Sequence, residues 1–388
     1  MTPPNARSPS HSLRHAIGIA RVLGILGIIY VHAWTGRTAE ELAVLDQTPQ
    51  GVLRWALIEM VGYSAVPLLG IISGWLVGPS SARRSYRDFI AVKARTILLP
   101  MLLWNAITMA VVVGLAVWGG LAAPVPRSLG ETLDWWLCLT QPNPINVQIA
   151  FLRDLFVCMV IAPLLARLHD RWLVALLLAT LGWAISAYAF PLLLRPQILS
   201  FFLIGILARR HDLIERVARW PLLASVAPYL VMVPVLVWLT SSDDAWLHGH
   251  LQRANAIDLV MRVSAALALC RVSMALAPTP AGAFILKGER YAFLLFCGHM
   301  LLIWCGGPAI GLWTGPLGSP LYPPLLIAEP ILVFLPILLI GRALEATSPA
   351  LANVLSGGRL AAPKRHAPLP RSAASAKEPA NSPPGAAP

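Results

Sequence analysis

The sequence predicts an all-α, polytopic integral membrane protein of about ten transmembrane helices, with both termini cytoplasmic. Three observations carry that prediction. Of 388 residues, 57% are hydrophobic and only 12% are charged, about half the charged share of a soluble domain. Apolar runs long enough to cross hydrocarbon, about 20 residues each, recur from end to end. Lys and Arg gather in alternate connecting segments, as cytoplasmic loops do.

Ten runs qualify, at 16–34, 55–77, 97–119, 149–166, 172–190, 192–208, 221–239, 256–277, 291–313 and 323–344. The sixth is the least regular, because Arg195 and Pro196 stand near its start. Apolar segments continue past the first, so a lone signal peptide does not explain it. One set of loops holds Arg83, Arg84, Arg87, Lys93, Arg95, Arg167, Arg171, Arg209, Arg210, Arg216, Arg219, Lys287 and Arg290. The other holds only Arg37, Arg54, Arg127, Arg195 and Arg253, beside acids that include Asp46, Asp243 and Asp244. The first set is therefore cytoplasmic. Trp34, Trp55, Trp118, Trp172, Trp220, Trp246 and Trp313 fall near the ends of runs, where an interfacial belt belongs.

The net charge of +12 follows this loop pattern, so it marks topology rather than a nucleic-acid surface. Five cysteines show no CxxC spacing, which supports neither a disulfide framework nor a zinc site, and no metal is expected. No GxSxG, Walker, GxGxxG or HExxH pattern occurs, so nothing points to a serine hydrolase, an ATPase or a zinc protease.

The residues of greatest interest are ionisable ones inside apolar runs. Arg21 and His32 stand eleven positions apart in the first run. At 100° per residue both lie on one helix face, with a rise of roughly 16 Å between them. A cation and an imidazole in hydrocarbon are costly, which makes them a functional candidate by default. Imidazole suits a general base acting on a hydroxyl, and Arg21 suits a phosphate, carboxylate or carbonyl oxygen. The alternative is a polar pair satisfied by neighbouring helices, with Arg21 snorkelling to the headgroups.

Other candidates follow along the chain. Gly70, Ser73 and Gly74 form a small-residue face suited to close helix packing; a polar contact from Ser73 to substrate is the alternative. Lys93 and Arg95, beside the third run, suit a phosphorylated donor, against a purely topological role. Arg153 and Asp154 are adjacent, so they should not face each other on a helix; site lining and a structural network are both open. His299 lies roughly 12 Å into the ninth run, as a site residue or as a hydrogen-bonding strut. Asp258 and Arg262, four apart, read as an intrahelical ion pair near the outer surface.

Taken together these residues resemble the acyltransferase-3 family, bacterial membrane proteins that acylate cell-surface sugars and glycans. Its first helix carries an Arg, ten residues and a His, as Arg21 to His32 does here. Leu69-Gly-Ile-Ile-Ser-Gly-Trp-Leu76 is similar to its Phe-Phe-x-Ser-Gly-Tyr-Leu sequence, with the aromatics replaced. Lys93-Ala-Arg-Thr-Ile-Leu-Leu-Pro100 resembles its basic stretch leading to a proline. Phe151-Leu-Arg-Asp-Leu155 resembles Trp-Phe-Leu-x-x-Leu without the Trp, and Phe201-Phe-Leu-Ile-Gly-Ile-Leu207 and His299 also fit.

The resemblance implies transfer of an acyl group, usually acetyl, from cytoplasmic acyl-CoA to a carbohydrate hydroxyl, at a bacterial inner membrane. His32 is then the catalytic residue with Arg21 as its companion. Arg153, Asp154, Ser73 and His299 are expected on the substrate side, and Lys93 and Arg95 on the acyl-CoA side. Acyl-CoA enters as a donor substrate rather than a resident cofactor, and the acceptor is a carbohydrate or lipid-linked glycan. The expected division is a disordered cytoplasmic segment at 1–13, the transmembrane acyltransferase domain at 14–345 and a Pro/Ala-rich basic tail at 346–388. The competing reading is a multi-helix transporter or flippase of a polysaccharide export system, with internal histidines as proton relays.

Overall fold

The computed structural model describes residues 11–34, 36–45, 47–82, 84–186, 188, 190–240, 250–315 and 318–360. Arg83, Asp46, Asp243, Asp244 and Trp246 lie outside the described residues, as do the first ten positions and those after Leu360. Among the described residues the chain is helical, and the only β feature is an isolated bridge between Phe190 and Leu193.

Helices stand where the ten apolar runs are expected. They are α1 (His11–His32), α2 (Pro49–Ser81), α3 (Tyr86–Gly119), α4 (Ile149–Leu165) and α5 (Asp170–Ser186), then α6 (Gln197–Arg210), α7 (Leu222–Thr240), α8 (Leu251–Leu276), α9 (Glu289–Thr314) and α10 (Tyr322–Thr347). Seven of them, α1 to α3 and α7 to α10, are long and apolar enough to cross a membrane. The remaining three have 17, 17 and 14 residues, or about 26, 26 and 21 Å of rise.

The starts of these helices are written locally. The Thr48 hydroxyl accepts from the Gly51 N–H ahead of α2, where Pro49 needs no donor. Ser85 caps α3 by accepting from the Asp88 N–H. Gly120, at φ 71°, ends α3 in the left-handed conformation. Two π-helical turns interrupt the long helices, Ala56–Val61 in α2 and Ala94–Leu98 in α3. Such turns re-aim neighbouring side chains and recur at functional sites.

The first helix is the hub, packing against α2, α8, α9 and α10. The closest pairing is between α2 and α6, and glycine permits it. A Cβ on Gly74 would sit 2.0 Å from the Phe202 carbonyl oxygen, and one on Gly205 would sit 2.1 Å from that of Ile71. Backbone lies on both sides of this contact, so neither neighbour can turn away. Gly205→Ala should lower stability by about 1–3 kcal/mol, read as a drop in the melting temperature of purified protein in detergent.

The outer helices show the opposite pattern. Leu223 is 72% exposed and Leu339 is 65% exposed, and their neighbours are also apolar. Continuous apolar faces of this kind, on helices whose backbone is internally satisfied, suit hydrocarbon. Trp118 and Trp313 at helix ends are exposed, as a belt requires.

The folded part runs past the expected tail boundary at 346. A short helix, α11 (Pro349–Leu355), is followed by a turn that ends at the buried Leu360. The Trp104 indole donates to the Leu355 carbonyl at 3.0 Å, tying this turn to α3. Leu355 and Leu360 supply the apolar contacts that a Pro- and Ser-rich composition obscures.

Candidate active site

Two cavities lie end to end along α1. The one at the His32 end has about 300 Å³ and is lined by His32, Tyr63, Gln148, Arg195 and Arg262 among others. The one at the Arg21 end has about 640 Å³ and is lined by Arg21, Ser73, Lys93, Glu289, Arg290 and Arg359 among others. Phe151 and Phe296 line both. Their rings meet edge to face, 5.7 Å between centroids, and form the partition. The π turn of α2 leads directly into Gly62 and Tyr63 of the smaller chamber, and that of α3 carries Thr96 and Ile97 of the larger one.

At the smaller chamber's wall the His32 ring lies beside that of His299, centroids 5.5 Å apart and planes at 32°, and His299 itself does not line the cavity. His299 is fully buried, and its Nδ1 stands 3.1 Å from the Leu295 carbonyl oxygen. A carbonyl can only accept, so Nδ1 carries the proton and Nε2 presents a lone pair. That Nε2 has no partner among the described residues.

Arg195 reaches this chamber because the segment before α6 is pinned from below. The buried Asp154 carboxylate accepts from the Leu194 N–H at 3.2 Å and the Arg195 N–H at 2.8 Å. Arg153 donates to the carbonyls of Pro191 at 2.6 Å and Leu192 at 2.7 Å. No described carboxylate pairs with the Arg195 guanidinium, whereas Arg262 is paired with Asp258 at 2.5 Å and lies over the Tyr63 ring.

At the other end, Arg21 Nη1 meets Glu289 Oε1 at 3.2 Å, and Arg290 pairs with Glu345. Lys93 lies over the Phe89 ring, and the Arg359 guanidinium stacks 3.8 Å from the Phe293 centroid. The lining thus holds four cations against one carboxylate.

The structure therefore puts His32 in one chamber, with His299 buried against its ring but outside the lining, and Arg21, Lys93 and Ser73 in the other. The Ser73 hydroxyl donates to the Leu69 carbonyl at 2.7 Å, so only its lone pairs face the cavity. Arg95 is exposed and does not line the cavity; two positions from Lys93, it emerges on the far side of the helix. Arg153 and Asp154 do meet, at 2.8 Å, contrary to the expectation from their adjacency. The Arg153 side chain is long enough to curl back across its own backbone. This pair holds the 191–195 segment, and neither residue lines either chamber.

Glu289, Gln148, Arg195 and Arg359 escape sequence reading as site residues. The signal for Glu289 was an acid set between Lys287 and Arg290. Glu329 is buried in α10 with Oε1 unpartnered among the described residues, but it borders neither chamber and is not part of this site.

The family model described as an acyltransferase domain, acyltransferase-3, matches residues 14–341. The chain belongs to the acyltransferase-3 family. Over 387 aligned residues this acyltransferase-3 protein is 28% identical to the succinoglycan biosynthesis protein ExoH of Rhizobium meliloti (strain 1021), an alignment covering 93% of this chain and 96% of that protein. No solved structure matches it. Family membership and seven membrane-length helices make it a multi-pass membrane protein.

Proposed function

We propose that the protein transfers an acyl group from cytoplasmic acyl-CoA to a hydroxyl of an exported or cell-surface polysaccharide. The observation that carries this reading is the pair of chambers, one cationic and one containing His32, separated by two phenylalanine rings. Coenzyme A is a polyanion on a long uncharged arm. Its phosphates suit the Arg21 chamber, and its arm is of the same order as the roughly 16 Å from Arg21 to His32. The arm passes between Phe151 and Phe296 and presents the thioester to His32.

There His32 removes the acceptor hydroxyl proton as the oxygen attacks the thioester carbonyl. The tetrahedral oxyanion is stabilised by the Arg195 cation, which no described carboxylate pairs. Collapse breaks the carbon–sulfur bond; the thiolate takes the proton back from His32, leaving an O-ester and free coenzyme A. His299 holds the His32 ring in position. Arg21, oriented by Glu289, binds donor phosphate.

In this reading the ten helices all cross a bacterial inner membrane, the three short ones spanning at reduced length. Both termini and the Arg21 chamber are cytoplasmic, and the His32 chamber faces outward. The transferase domain begins near residue 14 and extends to Leu360. The name of the relative, a succinoglycan biosynthesis protein, supports a polysaccharide acceptor. Acetyl is the acyl group that the family resemblance implies. The Arg195 guanidinium, paired with no described carboxylate, favours a second reading, an acyl group carrying its own carboxylate.

Mass spectrometry of surface polysaccharide from cells with and without the protein tests the proposal. Loss of one O-acyl substituent without the protein is expected, and its mass separates the two acyl classes. Unchanged acylation with impaired export would instead indicate a transporter or flippase.

A further inference from the structure

The turn after α11 contributes Arg359 to the lining of the larger cavity, and it lies beyond the residues matched by the family model. This turn is built rather than draped. The Ser356 hydroxyl accepts from the N–H groups of Arg359 and Leu360, at 3.2 and 2.9 Å. Gly357 adopts φ 59°, and a Cβ there would sit 2.4 Å from the Thr96 carbonyl oxygen. That carbonyl belongs to the π turn of α3, so the two irregular segments are fitted to each other. Trp104 anchors the preceding residue, and Leu360 is 1% exposed.

The construction delivers one charged side chain, Arg359, into the cavity. Its Nη1 donates to the Ser356 and Gly357 carbonyls at 3.1 and 3.4 Å, and its flat face rests on Phe293. Neither Arg359 nor Lys93 forms a salt bridge with a described carboxylate, whereas Arg21 and Arg290 do. Nε and Nη2 of Arg359 make no hydrogen bond to a described residue. A guanidinium fixed at one nitrogen and by stacking, with its other donors unused by the described residues, is a preorganised anion receptor.

We propose that the turn at 356–360 is part of the donor site, with Arg359 and Lys93 together binding the phosphate groups of the coenzyme A head. This rests on the proposed function, because it assigns the cationic cavity to the donor. The C-terminal turn then supplies recognition of the nucleotide end, and the Phe151–Phe296 partition handles the uncharged arm.

The test titrates full-length purified protein with coenzyme A, and with pantetheine, which has the thiol arm but no phosphate. Arg359→Gln should weaken coenzyme A binding about tenfold, the value of one charge-assisted hydrogen bond, and leave pantetheine binding unchanged. Arg359→Lys should restore much of the loss. Gly357→Ala, which unseats the turn without removing charge, should reproduce the Gln variant. Equal affinity of Arg359→Gln and wild type for coenzyme A would overturn the proposal, as would an equal loss for pantetheine, the mark of a purely structural role. A wild-type protein that binds coenzyme A through Arg359 yet transfers no acyl group would sink the functional reading while leaving this one standing.

Discussion

His32→Ala should remove acyl transfer, an expected loss of about 10²–10⁴-fold for a general base, while the protein still inserts and folds. His32 is half-buried at the end of α1 and lines a cavity, so truncation enlarges the chamber without breaking a packed layer. The readout is label moved from acyl-CoA to glycan by membranes holding equal amounts of the two proteins. Undiminished transfer by a well-folded variant would remove His32 from the mechanism. His299→Gln should cost less, because His299 does not line the chamber and lies beside the His32 ring instead. Its amide can still bond to Leu295.

Asp154→Ala should be the most destabilising single change in the site, by about 3–5 kcal/mol. The fully buried carboxylate accepts three donors, from Arg153, Leu194 and Arg195. Removing it takes the carboxylate from the Arg153 cation and leaves two backbone N–H groups without their acceptor. The 191–195 segment then loses its anchor, and Arg195 leaves the His32 chamber. Thermal unfolding in detergent reads the stability loss. Asp154→Asn keeps the volume but puts an amide donor against a donor, so it should fall between wild type and Ala. A variant that melts like wild type would show that the network contributes little.

Much of the fold was legible because it depends on local pattern. Apolar run length places each long helix, and the eleven-residue spacing places Arg21 and His32 on one face of α1. The site was only half legible, because its remaining parts are chosen by partners distant in sequence. Glu289 meets Arg21 across 268 positions, and no periodicity reports such a pairing. Arg195 reads in sequence as a defect in a helix; in the fold it is a cation of the His32 chamber that no described carboxylate pairs. Arg153 and Asp154 defeat a rule about helix faces because one side chain is long enough to bend back. Arg359 sits in a stretch whose composition suggests a tail, yet Ser356, Gly357 and Leu360 each make a specific contact that fixes it.

The central claim is that donor and acceptor enter from opposite faces and meet at His32. Reconstituted protein in sealed vesicles of known orientation tests it, with labelled acyl-CoA outside and acceptor glycan sealed inside. Label should reach the enclosed glycan when the Arg21 face is outward, and His32→Ala vesicles should show none. Transfer only when acyl-CoA and glycan share one face would contradict the account.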